Sequence, residues 1–220
     1  MEFYIKKEKS FDNMSNTEAD EYMHWYVENI DLGIKYLETI VNRTIKWSAD
    51  YSDESFLMLS KWWLPNIIKE IIPLETVQKT IETQQLPAHI ANAILTNREQ
   101  PSPLITKEMY TIGMYFAKSI IVNLSDFQFE WKILHRSKKN IEYNIPKLCK
   151  IDPPSVIALD AQSVVANTTS RMHREQNELG LYSIYIRWKT MFIDDGKSAR
   201  EEAESKMLYP KKSRAKKLSK

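Results

Sequence analysis

Between Thr106 and Ile133 the spacing of apolar residues switches from a helical to a strand period, and this switch commits the chain to a mixed architecture. From Thr106 to about Asn123, Tyr110, Gly113, Met114, Ala117, Ile120 and Ile121 recur every three or four positions. That spacing places side chains on one face of an α-helix. Beyond it, Phe127, Phe129, Trp131 and Ile133 alternate with Gln128, Glu130, Lys132 and Leu134, the period of a half-buried strand. The polar run Ser137-Lys-Lys-Asn140 predicts a turn, and residues 141–149 predict a returning strand. Pro146 places that strand at a sheet edge, because proline cannot donate to a ladder. The link between helix 106–123 and strand 127–133 is short, so the apolar face of the strand is expected to lie on that helix.

The rest of the chain reads as helical. Ser15-Asn-Thr-Glu18 has the form of a capping box, with Ser15 or Thr17 as the N-cap, and a Pro-free stretch with helical apolar spacing follows to about Lys46, predicting one long helix. Ser52, with Asp53 and Glu54 in the next turn, starts a second helix, because acids there suit the helix dipole. It runs toward Pro73 and carries Pro65 as a kink or restart. Residues 74–98 predict one or two short helices, and Glu99-Gln-Pro-Ser-Pro103 a break. Asp152-Pro-Pro154 ends the hairpin; helices are expected at 155–169 and 177–193, a turn at Asp194-Asp-Gly196 and a short charged helix at 198–208. The expected fold class is therefore α+β: a helix-dominated single domain with a small antiparallel β-hairpin or three-stranded sheet. The expected organisation is a flexible N-terminus at 1–14, one α+β domain at 15–208 and a basic tail at 209–220.

Composition supports a folded chain and narrows the chemistry. Of 220 residues, 43% are apolar and 27% charged, which excludes a wholly disordered chain. Only four residues are glycine, too few for most phosphate-cradling loops, and neither GxGxxG nor GxxxxGK[ST] occurs. There is no Gly-x-Ser-x-Gly nucleophile elbow. His24, His89, His135 and His173 do not have metal-ligand spacing, and no zinc or other cofactor is expected. The lone Cys149 excludes an intrachain disulfide and fits a reducing compartment, with a small buried thiol as its expected state. The charged N-terminus does not resemble a signal peptide, and no apolar run approaches a membrane span, so the expected location is the cytoplasm.

Charge is unevenly distributed. The last ten residues hold six cations and no acid, so a total of +2 leaves residues 1–210 at −4. Lys211, Lys212, Arg214, Lys216 and Lys217 form a patch that fits two readings, a solubilising end or a nucleic-acid contact made by counterion release. No aromatic residue follows Tyr209, so base stacking is not indicated.

Two further sets of residues could carry a function. Glu130 and Lys132 lie two apart on a strand and point the same way. With Asp126 upstream, they fit the arrangement by which metal-dependent nucleases hold a divalent ion and position water, and they equally fit a solvated strand face. Trp62 and Trp63 are adjacent on a predicted helix, about 100° apart, so both cannot point directly inward. One is expected to be partly exposed and to anchor a partner.

Tyr26-Val-Glu-Asn-Ile-Asp-Leu-Gly-Ile-Lys-Tyr-Leu37, Asp50-Tyr-Ser-Asp-Glu-Ser55, Trp62-Trp63, Ile112-Gly-Met-Tyr-Phe116, Asn123, Trp131 and Ile141-Glu-Tyr-Asn-Ile-Pro146 form a pattern over residues 20–150. The pattern resembles a group of uncharacterised small proteins of low-GC Gram-positive bacteria, in which the Gly-x-Tyr-Phe segment continues Gly-Glu; here Ala117-Lys118 stands in its place. The resemblance implies an immunity-like or accessory cytoplasmic protein. The leading expectation is a non-enzymatic protein that binds another protein or itself, for instance as an immunity-type inhibitor of a toxin. The acidic body would steer a basic partner, and helices 18–46 and 52–70 would present the contact face. The alternatives are a metal-dependent nuclease built on Asp126, Glu130 and Lys132, and nucleic-acid binding through the tail.

Overall fold

In the computed structural model, residues 3–6, 9–85, 87–96 and 98–201 are described. Ser15 caps α1 (Asn16–Glu28) through a complete capping box: the Glu18 amide donates to Ser15 Oγ at 3.2 Å and the Ser15 amide to Glu18 Oε2 at 2.8 Å. Lys9 Nζ sits 2.5 Å from the other Glu18 oxygen. That hydrogen bond first, and the Ser15 amide second, hold the Glu18 carboxyl down at about 2. A depressed carboxyl stabilises above its unfolded value and loses that contribution as pH falls to its folded one. The start of α1 is therefore expected to fray between about pH 4.5 and 2. Amide exchange at residues 16–18 followed through this window checks it; protection unchanged down to pH 2 would refute it.

The expected long helix 18–46 is two helices, α1 and α2 (Ile30–Val41), hinged at Asn29. Asn29 Nδ2 donates to the Trp25 carbonyl at 2.8 Å, and Asn29 leaves helical geometry at φ −101°, ψ 5°. A short amide side chain competing for backbone partners interrupts a helix in this way. Helix α3 (Asp53–Asn66) starts on Ser52, whose hydroxyl accepts from the Ser55 amide, and ends at Asn66, one residue after Pro65, short of the expected Pro73. The N-terminus is not loose throughout, because Phe3 and Met14 are buried and Phe3 packs against Trp25 and Tyr36.

Helix α6 (Thr106–Asn123) has the predicted bounds and is the central element: Tyr110 through Ala117, Ser119 and Ile120 are all buried. It packs on α2, α7 (Ala161–Glu175) and α8 (Gly180–Asp194). A helix apolar nearly all round belongs inside a fold. Phe56 of α3 stacks between Tyr115 and Tyr185, which joins α3, α6 and α8.

Strands β3 (Gln128–Ile133), β4 (Pro146–Asp152) and β5 (Pro154–Leu159) form an antiparallel sheet in the order β3-β4-β5. Trp131 faces Leu148 in register, and Leu148 faces Leu159. Two expectations are corrected here. Strand β4 is central rather than an edge, because Pro146 is its first residue, where a missing donor costs the ladder little. Residues 154–159 are a strand rather than the start of a helix; α7 begins at Ala161, with Asp160 Oδ1 accepting from the Ser163 amide at 3.0 Å. Among the described residues the sheet also lies closest to α8 and α1 rather than to α6 as expected. Phe129 packs edge-to-face on Phe192 of α8, and Trp131 on Tyr26 of α1. Lys150 on β4 is buried, with Nζ 2.6 Å from the Phe192 carbonyl and 4.6 Å from the Phe127 ring centre, so it closes the end of α8.

Residues 69–101 form a separate arm. Strands β1 (Lys69–Ile71) and β2 (Glu99–Pro101), neither expected from the sequence, pair antiparallel as its stem. Helices α4 (Leu74–Gln84) and α5 (Ala88–Thr96) are its head and pack chiefly on each other. The predicted turn at 194–196 is present, with Asp195 and Gly196 at positive φ, and residues 197–201 of the charged helix that follows are helical.

Candidate protein-interaction surface

The arm buries little of itself. Among its described side chains only Val77 and Ala91 are buried, whereas Ile71 and Leu74 are 65% and 46% exposed. So small a core supplies little stability of its own. Apolar side chains that a protein leaves in water together mark contact surfaces.

Two hollows flank the root of the arm. On the α7 side, Lys69, Glu99, Gln100, His173 and Arg174 line a polar cleft. Lys69 and Glu99 form an ion pair across it, and the hydrogen bond from Lys69 lowers the Glu99 carboxyl. On the opposite side is a groove of about 660 Å³, including space open to solvent. Its floor contains Trp62, Trp63, Ile40 and Ile105, and its rim includes Ile68, Leu104 and Arg43. Glu108 enters from the first turn of α6. Tyr36 donates to Glu108 Oε1 at 3.4 Å, while the buried Oε2 has no hydrogen-bond partner among the described residues.

The structure places the two tryptophans differently from the expected exposed anchor. Trp62 is 9% exposed and Trp63 is fully buried. Their rings stack at 5.9 Å, and each indole N–H has a partner: Trp62 Nε1 donates to Thr44 Oγ1 at 2.7 Å, and Trp63 Nε1 to Thr169 Oγ1 at 2.8 Å. A helical angle of 100° does not force exposure when neighbours cover both directions, here the turn after α2 on one side and α7 on the other. The pair is the floor of the groove, and the groups a partner could reach first are Ile68, at 50% exposure, and Leu104, at 77%.

Glu130 and Lys132 do point the same way from β3, and they pair with each other at 2.9 Å. The Glu130 hydrogen bond raises the Lys132 ammonium. Asp126 is exposed in the turn before β3. Among the described residues no three His, Cys, Asp or Glu side chains converge as a metal-binding set. Glu130 and Lys132 form one exposed ion pair on the strand face, which contributes little to stability. Cys149 is buried, and burial raises its thiol. Lys211, Lys212, Arg214, Lys216 and Lys217 lie outside the described residues.

Sequence reasoning missed the arm as a unit. Its signals were the prolines at 73, 87, 101 and 103 that bracket the two short helices. Among the described residues no helix is long and apolar enough to cross a membrane. Comparison of the chain with protein-family models, with curated proteins and with solved structures finds no match.

Proposed function

We propose that this chain is a non-enzymatic protein-binding protein, of the immunity-inhibitor kind, that engages its partner with the arm at residues 69–101 and the tryptophan-floored groove at its root. The observation that carries the reading is the arm: a two-stranded stem and two short helices that leave Ile71, Leu74 and Ile90 in water. The groove beside it adds a concave surface whose exposed apolar groups are Ile68 and Leu104. The partner is expected to be basic, because residues 1–210 carry −4, which speeds encounter with a cation-rich surface.

Because both tryptophans are built into the core, the test belongs at exposed rim positions. Leu104→Glu and Ile71→Asp change exposed side chains and are expected to leave thermal stability within about 0.5 kcal/mol of the parent. Affinity capture from the native cell with the intact chain is expected to recover a partner that both variants lose by tenfold or more. Equal recovery by all three proteins, or recovery of nothing but the chain itself, would overturn the reading.

A further inference from the structure

We propose that a recess between α1, β3 and the start of α7, away from the arm, binds the head of an aliphatic ammonium ion. Phe11, Tyr22, Tyr26, Trp131, Asp160 and Gln162 line it, and its space is about 260 Å³ including the open mouth. Most of that space is the open mouth, so what fits inside is a head group about the size of a water molecule, with any alkyl stem left in solvent.

The lining has the composition that recognises organic cations. Phe11 meets Tyr22 edge-to-face at 5.3 Å, and Tyr26 meets Trp131 edge-to-face at 5.1 Å, so the rings stand at angles to one another as walls. Ring faces carry negative quadrupole potential and attract an ammonium within about 6 Å. Among the described residues of the lining, Asp160 is the one charged residue, and no Lys, Arg or His shares it. Its carboxylate is fixed in place, with Oδ1 accepting from the Ser163 amide at 3.0 Å.

The polar groups deeper in the wall are already matched to one another. The hydroxyls of Tyr22 and Tyr110 share a hydrogen bond, and Gln162 Nε2 donates to Tyr26 Oη at 2.8 Å. Burial chiefly raises the Tyr22 and Tyr26 phenols, and the charge of Asp160 adds to both, so its field reaches into the recess. An incoming head group thus meets the half-buried Phe11 and Trp131 rings and the Asp160 carboxylate, with the buried Tyr22 and Tyr26 rings behind them. The opposing influence is the N-terminus of α7, which favours anions; the side chains outweigh it because Asp160 already occupies the Ser163 amide.

The test uses three probes of one chain length and different head charge: n-butylammonium, 1-butanol and butyrate. The reporter is the indole N–H signal of Trp131 in the labelled protein, assigned by its loss in Trp131→Phe. Butylammonium is expected to give a saturable shift with at least tenfold tighter binding than butanol, and butyrate none. Asp160→Asn keeps a good helix cap and removes the charge; it is expected to abolish that tenfold preference. Blocked lysine, with both backbone ends capped, separates two sources of the same head group. If it binds more tightly than butylammonium, the ligand is a lysine of a polypeptide; the reverse order indicates a free amine. Equal binding of butanol, saturable binding of butyrate, or no saturable response to butylammonium would overturn the proposal. None of these outcomes bears on partner capture by the arm.

Discussion

Replacing Trp63 by alanine is expected to cost about 3–5 kcal/mol of folding stability, the range for truncating a large buried aromatic side chain. Trp63 is fully buried, and its indole N–H donates to Thr169, so the change opens a cavity and also strips a buried hydroxyl of its partner. For a domain of this size each kcal/mol corresponds to about 2–4 °C, so the melting temperature should fall by roughly 6–20 °C. Trp62→Ala should cost less, because Trp62 forms groove floor and keeps 9% exposure. Urea denaturation of the two variants beside the parent measures both. A cost below about 1 kcal/mol for Trp63→Ala would mean that α3 and α7 are not locked together through this ring.

Raising the pH should unfold the protein cooperatively between about pH 10 and 12. Tyr22, Tyr26, Tyr110, Tyr115 and Tyr185 all have phenols pushed upward, first of all by burial. Tyr115 is pushed up to about 12 from an ordinary 10, although hydrogen bonds from Ser55 and the Tyr51 amide pull the other way. A raised folded value means that the contribution is fully present below pH 10 and is lost as pH climbs toward the folded value. For Tyr115 alone the shift corresponds to about 2–3 kcal/mol at 1.36 kcal/mol per unit. Four further phenols act in the same direction, so the total approaches the whole stability of an ordinary domain. Circular dichroism and phenolate absorbance recorded on the same samples should change together. Phenolate absorbance that reaches its full value while helix content stays intact would show that these rings are accessible in the folded state.

These expectations rest on features of different origin. The bounds of α6, the strand at 128–133, the Ser15 and Ser52 caps and the 194–196 turn were legible because each is set by residues within a few positions of one another. Period, side chain-to-amide reach and positive φ are local properties. The resulting α+β class follows from the single change of period after Asn123.

What the tertiary structure decided is everything whose partners are distant. Residues 154–159 carry no period that separates strand from helix, and pairing with β4 made them a strand. Lys69–Ile71 is too short to read as a strand by itself and became one by meeting Glu99–Pro101 across two intervening helices. Pro146 reads as an edge residue, yet β5 covers the open side of β4 beyond it. Trp62 and Trp63 looked unable to share one interior, because a helical wheel knows only its own axis. Thr44 from the turn after α2 and Thr169 from α7 supplied an interior on both sides. The Tyr22–Tyr110 and Tyr26–Gln162 contacts behind the Asp160 recess likewise join residues far apart in the chain. Local chemistry determined which segments became helices and where most of them start; only the packing of those segments decided which faces were left for a partner.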